Sequence, residues 1–231
     1  MSESKYFNFP IQLLEGFLID SDDCLSDIAA FGVYSFSKHL EYKEEGQGEH
    51  EDFESSANAL GIRFSNSKNS YKLGKKLFDS YSSGSPKVGI SLAIYWDYHN
   101  NYKTEYQKVC LLAYLALKSI AQNKPFCKVT NLYWFARMAG FQTSINDKDE
   151  LPPELLKYTT EYQLKKIKND LVLDWHLTTF SRYTRGFYVS FQMDLESLIE
   201  QAELRRKDQK IKEYKRQEKL ILQKVLMKLN K

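Results

Sequence analysis

At 231 residues the chain has room for one generous domain or two small ones, and its 42% hydrophobic and 14% aromatic content excludes disorder throughout. No apolar run approaches the roughly 20 residues of a membrane helix, the start MSESKYFNFP does not read as a secretion signal, and three scattered cysteines (Cys24, Cys110, Cys127) fit a reducing cytoplasm better than a disulfide framework. The net charge of +3 is unevenly spread: residues 1–60 carry three basic side chains against 13 acidic ones, while residues 201–231 carry 11 against four. The front therefore repels nucleic acid and suits a protein partner, and the basic back suits a polyanion.

Along the chain, Phe7, Phe9, Ile11, Leu13, Leu14, Phe17 and Leu18 cluster around Pro10, which suits a first helical turn. A second helix follows from Ser21-Asp22-Asp23, with Leu25, Ile28, Ala29, Val33, Phe36 and Leu40 near i, i+3, i+4 spacing. The run Glu41–Glu54, rich in like charges and holding two glycines, predicts a solvated loop. Short helices are expected around 52–60 and 70–82, ending at the small-residue stretch 82–86, the best candidate boundary. Val88, Ile90, Leu92, Ile94 and Trp96 then alternate with smaller or more polar residues and predict a strand.

The second half is more regular. Thr104 to Asn123 predicts a strong helix that buries Val109, Leu112, Ala116, Leu117 and Ile120. Thr130 is a candidate N-cap for a short helix to Met138, with Gly140 in a plausible C′ position. Thr159/Thr160 cap a third helix that places Leu164, Ile167, Leu171 and Trp175 at helical spacing. His176–Phe180 and Gly186–Phe191 read as two strands joined by residues 181–185, and from Asp194 a single helix can run to Leu229.

Helix, short helix, helix and a two-stranded hairpin, in that order over residues 104–192, resemble a winged helix-turn-helix. The resemblance implies a third helix lying in the major groove of double-stranded DNA. Glu161, Lys165, Lys168 and Asn169 would then point outward, with Gln163 and Lys166 on the flank. Lysines would hold phosphates, and Gln or Asn would read base edges. The wing tip, Arg182-Tyr183-Thr184-Arg185, would meet the backbone or the minor groove. Arg205, Arg206 and Lys207 open a basic tail able to extend the contact. One feature departs from the pattern. The segment Phe141–Lys157 is much longer than a tight turn and carries Asp147, Asp149, Glu150 and Glu154, which would repel phosphate if they faced DNA.

The expected architecture is thus mainly helical α+β: an acidic helical region (1–86), a strand plus winged-helix-like domain (87–192) and a basic C-terminal helix (193–231). The expected function is non-enzymatic DNA binding, and the general character of the sequence suggests a regulator or replication-type protein of a bacterial mobile element. The alternative is a protein-interaction module on the same scaffold without nucleic acid. Charged helix faces and arginine-bearing hairpin tips are ordinary solvated features, so both readings stand.

Signals of catalysis or of a cofactor are lacking. Gly74-Lys75-Lys76 has neither the upstream glycine nor the following Ser/Thr of a phosphate-binding loop. The four histidines flank no paired cysteines, so no zinc spacing exists. His50 beside Glu49, Glu51 and Asp52 reads as a solvated acidic loop rather than a chelator. The tail from Glu203 has a thin apolar seam (Ile211, Tyr214, Ile221, Val225, Leu229) among basic residues, which fits a solvated helix, a short coiled coil or a phosphate-contacting arm.

Overall fold

A computed structural model describes residues 5–39, 48–81, 84–181 and 186–229, with side chains described up to Gln223. Among these residues the protein is mainly helical α+β with two small antiparallel sheets. No helix among them is long and apolar enough to cross a membrane.

The first expected helix is instead a strand, β1 (Tyr6–Pro10), and a 3-10 turn, Ile11–Leu14. Phe7 and Phe9 are buried while Tyr6 and Asn8 are exposed, a period of two that fits a strand. Pro10 ends that strand, where its missing N–H costs least. β1 pairs antiparallel with β2 (Lys87–Ser91), setting Phe7 opposite Ile90 and Phe9 opposite Val88.

The expected second helix is α1 (Ser21–His39), capped by Asp20, whose Oδ1 accepts from the amides of Asp22 and Asp23 at 3.1 and 2.9 Å. The loop expected over Glu41–Glu54 does not run that far. Helix α2 (Glu49–Leu60) takes over at Glu49 and buries Phe53, Ala57 and Leu60. Helix α3 (Ser67–Tyr81) packs across α1, and Gly74 permits the approach: a Cβ there would collide with the Ala30 carbonyl oxygen.

The strand expected over 88–96 stops at Ser91. The Ser91 hydroxyl accepts from the Ile94 amide at 3.3 Å and caps α4 (Leu92–Asn100), which buries Leu92 and Tyr95 one turn apart. Helix α5 (Glu105–Ala121) runs through the core from its Thr104 cap, and Val109, Leu111, Leu112, Leu115 and Leu117 are all buried.

After α5 comes β3 (Cys127–Val129), a strand without a clear signal in the sequence, then α6 (Asn131–Met138) with the expected Thr130 cap. Gly140 follows at φ +84°, as a C′ glycine requires. The long segment 141–157 is folded. Ile145, Leu151 and Leu155 are buried, and residues 153–156 form the short helix α7 (Pro153–Leu156). Two of its carboxylates turn onto backbone amides: Asp147 accepts from Asp149 and Glu150 from Asn146 and Asp147.

Helix α8 (Glu161–Asp174) leads to β4 (Thr178–Phe180), then β5 (Phe187–Ser190). β5 is central, pairing antiparallel with both β3 and β4, so the sheet order is β3-β5-β4. One continuous apolar core runs from Phe7 to Val189, and a small second cluster (Tyr188, Leu198, Ala202) seats the start of α9 (Leu195–Leu229).

Candidate nucleic-acid interface

The geometry of α8 follows from its periodicity. The Thr160 hydroxyl accepts from the Gln163 amide at 3.4 Å, and Ile167 and Leu171 are buried a turn apart. Trp134 on α6 supports this joint from below: it is fully buried, its Nε1 donates to the Ala113 carbonyl at 3.0 Å, and its ring meets Phe187 edge-on at 5.3 Å. With Ile167 and Leu171 turned inward, the outer face of α8 carries Tyr162, Lys165, Asn169 and Leu173, all exposed.

Lys165 and Asn169 therefore stand outward, as the sequence predicts, and Lys166 is exposed on the flank, its ammonium 4.1 Å from the centroid of Tyr106. Lys168 is a correction. Expected to point outward, it is half-buried, with its Nζ 3.6 Å from the Phe187 ring centroid and 3.4 Å from Asn131 Oδ1. Burial alone pulls its ammonium down to about 8, because the charged form is deprived of water. Gln163 is also turned in, its Oε1 buried with no hydrogen-bond partner among the described residues.

Arg182, Tyr183 and Arg185 lie outside the described residues. In α9, Arg205 and Lys207 are exposed, whereas Arg206 is half-buried and paired with Glu203 at 3.0 Å. Beyond Ala202 the described side chains of α9 are almost all exposed, including Leu204, Ile211, Tyr214 and Ile221.

Tyr162 escapes sequence reasoning that assigns aromatic residues to the core. It is 74% exposed, and its spacing to Lys165 and Asn169 (i, i+3, i+7) is the signal that marks the shared face.

Burial pushes the three thiols, Cys24, Cys110 and Cys127, up to about 11, which leaves them poor nucleophiles at neutral pH. Among the described residues no group of three or more His, Cys, Asp or Glu side chains is placed to hold a metal ion. Around His50, Glu49 is instead engaged by Lys38, Tyr71 and Lys75.

In comparison with known proteins, the chain matches no family model, no curated protein and no solved structure. Its function is therefore argued from its own geometry.

Proposed function

We propose that residues 105–190 act as a winged helix-turn-helix that binds double-stranded DNA, with α8 in the major groove. The observation that carries this reading is the connectivity. Helix α5, strand β3, helix α6, the short helix α7, helix α8 and the hairpin β4–β5 follow one another, and the first strand pairs beside the last to give the order β3-β5-β4. A small sheet of that order lies beside α6 and α8, and α8 presents Lys165 and Asn169 on its outer face with Lys166 on the flank.

In this reading Lys165 and Lys166 hold phosphates, Asn169 reads a base edge, and Tyr162 packs on sugar or a thymine methyl. The wing residues Arg182, Tyr183 and Arg185 contact the backbone or minor groove, and Arg205, Arg206 and Lys207 add charge from the tail. Lys168 is left out of the contact set because its ammonium is directed at Phe187. The acidic α1–α3 region faces a protein partner, and the whole serves as a regulator or replication-type protein of a bacterial mobile element.

Fluorescence anisotropy on a labelled generic duplex tests this. Affinity is expected to fall about 10³-fold or more between about 50 and about 200 mM salt, as release of counterions from some seven phosphate contacts requires. Absence of binding at the lower salt overturns the reading. A second reading, contact with another protein through the same scaffold, draws on the exposed apolar groups Tyr162, Val172 and Leu173 of α8.

A further inference from the structure

Between α4, the first half of α5 and the end of α8 lies a cleft of about 490 Å³. Its size is that of a small-molecule site. Four of its lining residues are aromatic (Tyr98, Tyr106, Tyr114, Trp175), and two acids, Asp170 and Asp174, come from the last turns of α8. A third acid, Asp97, is closed by Lys103 at 2.7 Å and Asn101 at 2.9 Å and adds no net charge.

The two α8 carboxylates are available in different ways. Asp170 accepts a hydrogen bond from the Tyr106 hydroxyl at 2.7 Å and forms no ion pair with the described residues. Asp174 is exposed and makes no hydrogen bond or ion pair with the described residues. Their field reaches the cleft wall: burial first, and then these two carboxylates, push the Cys110 thiol up to about 11 against the opposing Tyr106 hydrogen bond and Lys166 ammonium.

The rings are of a kind that draws ammonium groups, and three of them already do. Lys103 lies 4.9 Å from the Tyr98 centroid, Lys166 4.1 Å from that of Tyr106 and Lys118 5.3 Å from that of Tyr114. Trp175, whose indole face attracts cations best, carries no cation among the described residues and stacks obliquely on Tyr114 at 4.3 Å. The cleft wall combines an indole that carries no cation among the described residues, a tyrosine beside it and two carboxylates that form no ion pair with the described residues, a combination that favours positive charge on an apolar body.

We propose that this cleft binds a small organic ammonium ion, its charge set against Asp174 and Asp170 and its apolar part on Trp175 and Tyr114. The proposal goes beyond DNA binding, does not depend on it, and is tested without nucleic acid.

Benzyltrimethylammonium serves as the probe, with benzyl alcohol and benzoate as its neutral and anionic counterparts, each titrated against the full chain by tryptophan fluorescence and isothermal calorimetry. Saturable binding of the cation is expected, with benzyl alcohol at least about tenfold weaker and benzoate not bound. Asp174→Asn, at an exposed position, should weaken the cation about tenfold with an unchanged melting temperature. Trp175→Phe should weaken it too and remove the fluorescence response. The idea is overturned by a lack of saturation, by equal binding of the three probes, or by an Asp174→Asn protein that binds the cation like the parent.

Discussion

The ammonium of Lys168, on α8, lies 3.6 Å from the centroid of the Phe187 ring at the start of β5. A cation over a ring face is attracted to it, but this one is also partly stripped of water, and no carboxylate among the described residues lies within ion-pair distance. Burial holds its titration down at about 8, against an ordinary value near 10.5. The folded state thus binds fewer protons than the unfolded state between those values, so the cost is fully present below about pH 8 and fades as pH rises through 10.5. Lys168→Met is expected to stabilise the protein by about 1–2 kcal/mol at neutral pH, after discounting for partial solvation. Urea titrations at pH 7 and at high pH check this: the variant's advantage should narrow on the alkaline side. Duplex affinity should not change, because the lysine faces inward.

Glu49 ties three helices together from the surface. Its carboxylate accepts from Lys38 on α1 at 2.6 Å, and from Tyr71 and Lys75 on α3 at 2.7 and 2.9 Å. These hydrogen bonds hold its carboxyl down at about 2, from an ordinary 4.5. A depressed carboxylate contributes stability above its unfolded value and loses it as pH falls from 4.5 toward 2. The site is largely solvated, so the contribution is below about 1 kcal/mol. Glu49→Gln should lower the melting temperature slightly at pH 7, and the difference from the parent should close under acid.

Gly74 sits inside α3, where alanine would ordinarily favour the helix by about 1 kcal/mol. The sign should reverse here. An added Cβ would meet the Ala30 carbonyl oxygen and stand 2.9 Å from the Tyr34 Cβ, and backbone cannot swing aside as a side-chain tip can. Gly74→Ala is therefore expected to destabilise by about 1–3 kcal/mol, measured by thermal or urea denaturation. A neutral or stabilising result would mean that α1 and α3 pack less closely than this.

At the end of α5, Gln122 holds φ +49° and ψ −126°. The Lys124 amide closes onto the Ala121 carbonyl at 3.0 Å, so Gln122 occupies the first central position of a II′-like turn, where glycine belongs. Its side chain is exposed, so little else is lost with it. Gln122→Gly should stabilise by about 1 kcal/mol, the relief of strain exceeding the entropy glycine adds to the unfolded chain. A melting temperature at or below the parent's would show that the turn is not strained.

What was legible in the sequence was local. Thr130 and Thr160 cap helices where their spacing predicts, Gly140 takes its left-handed C′ position, and the hairpin partners pair. What escaped was non-local or ambiguous. The alternation over 88–96 suits a strand, but Leu92 and Tyr95 also lie one turn apart, and the Ser91 cap decides for helix. β3 is three residues long, and its partner β5 lies some 60 residues further on, so no window on the sequence contains both. Helical spacing sets Lys168 at the edge of the polar face of α8, and only the arrival of Phe187 from the sheet turns it inward. Of the expected contact set, Lys165, Lys166 and Asn169 are presented on α8, Gln163 and Lys168 are not, and the three wing residues lie outside the described structure.

If α8 enters the major groove, Lys165 and Asn169 should fail in different ways. Both are exposed on one face a turn apart, but an ammonium carries charge without sequence information, whereas a carboxamide pairs bidentately with adenine. Lys165→Ala should weaken every duplex alike and reduce the salt slope by about one. Asn169→Ala should leave that slope unchanged and cost about 1–3 kcal/mol on the preferred sequence only, found by selection from a randomised duplex pool. Reversal of the tail charges Arg205 and Lys207 to Glu should act like the lysine change, lowering non-specific affinity while leaving the ranking of sequences intact. If the ranking follows the tail and ignores Asn169, base reading does not lie on α8, and the helix serves a different contact.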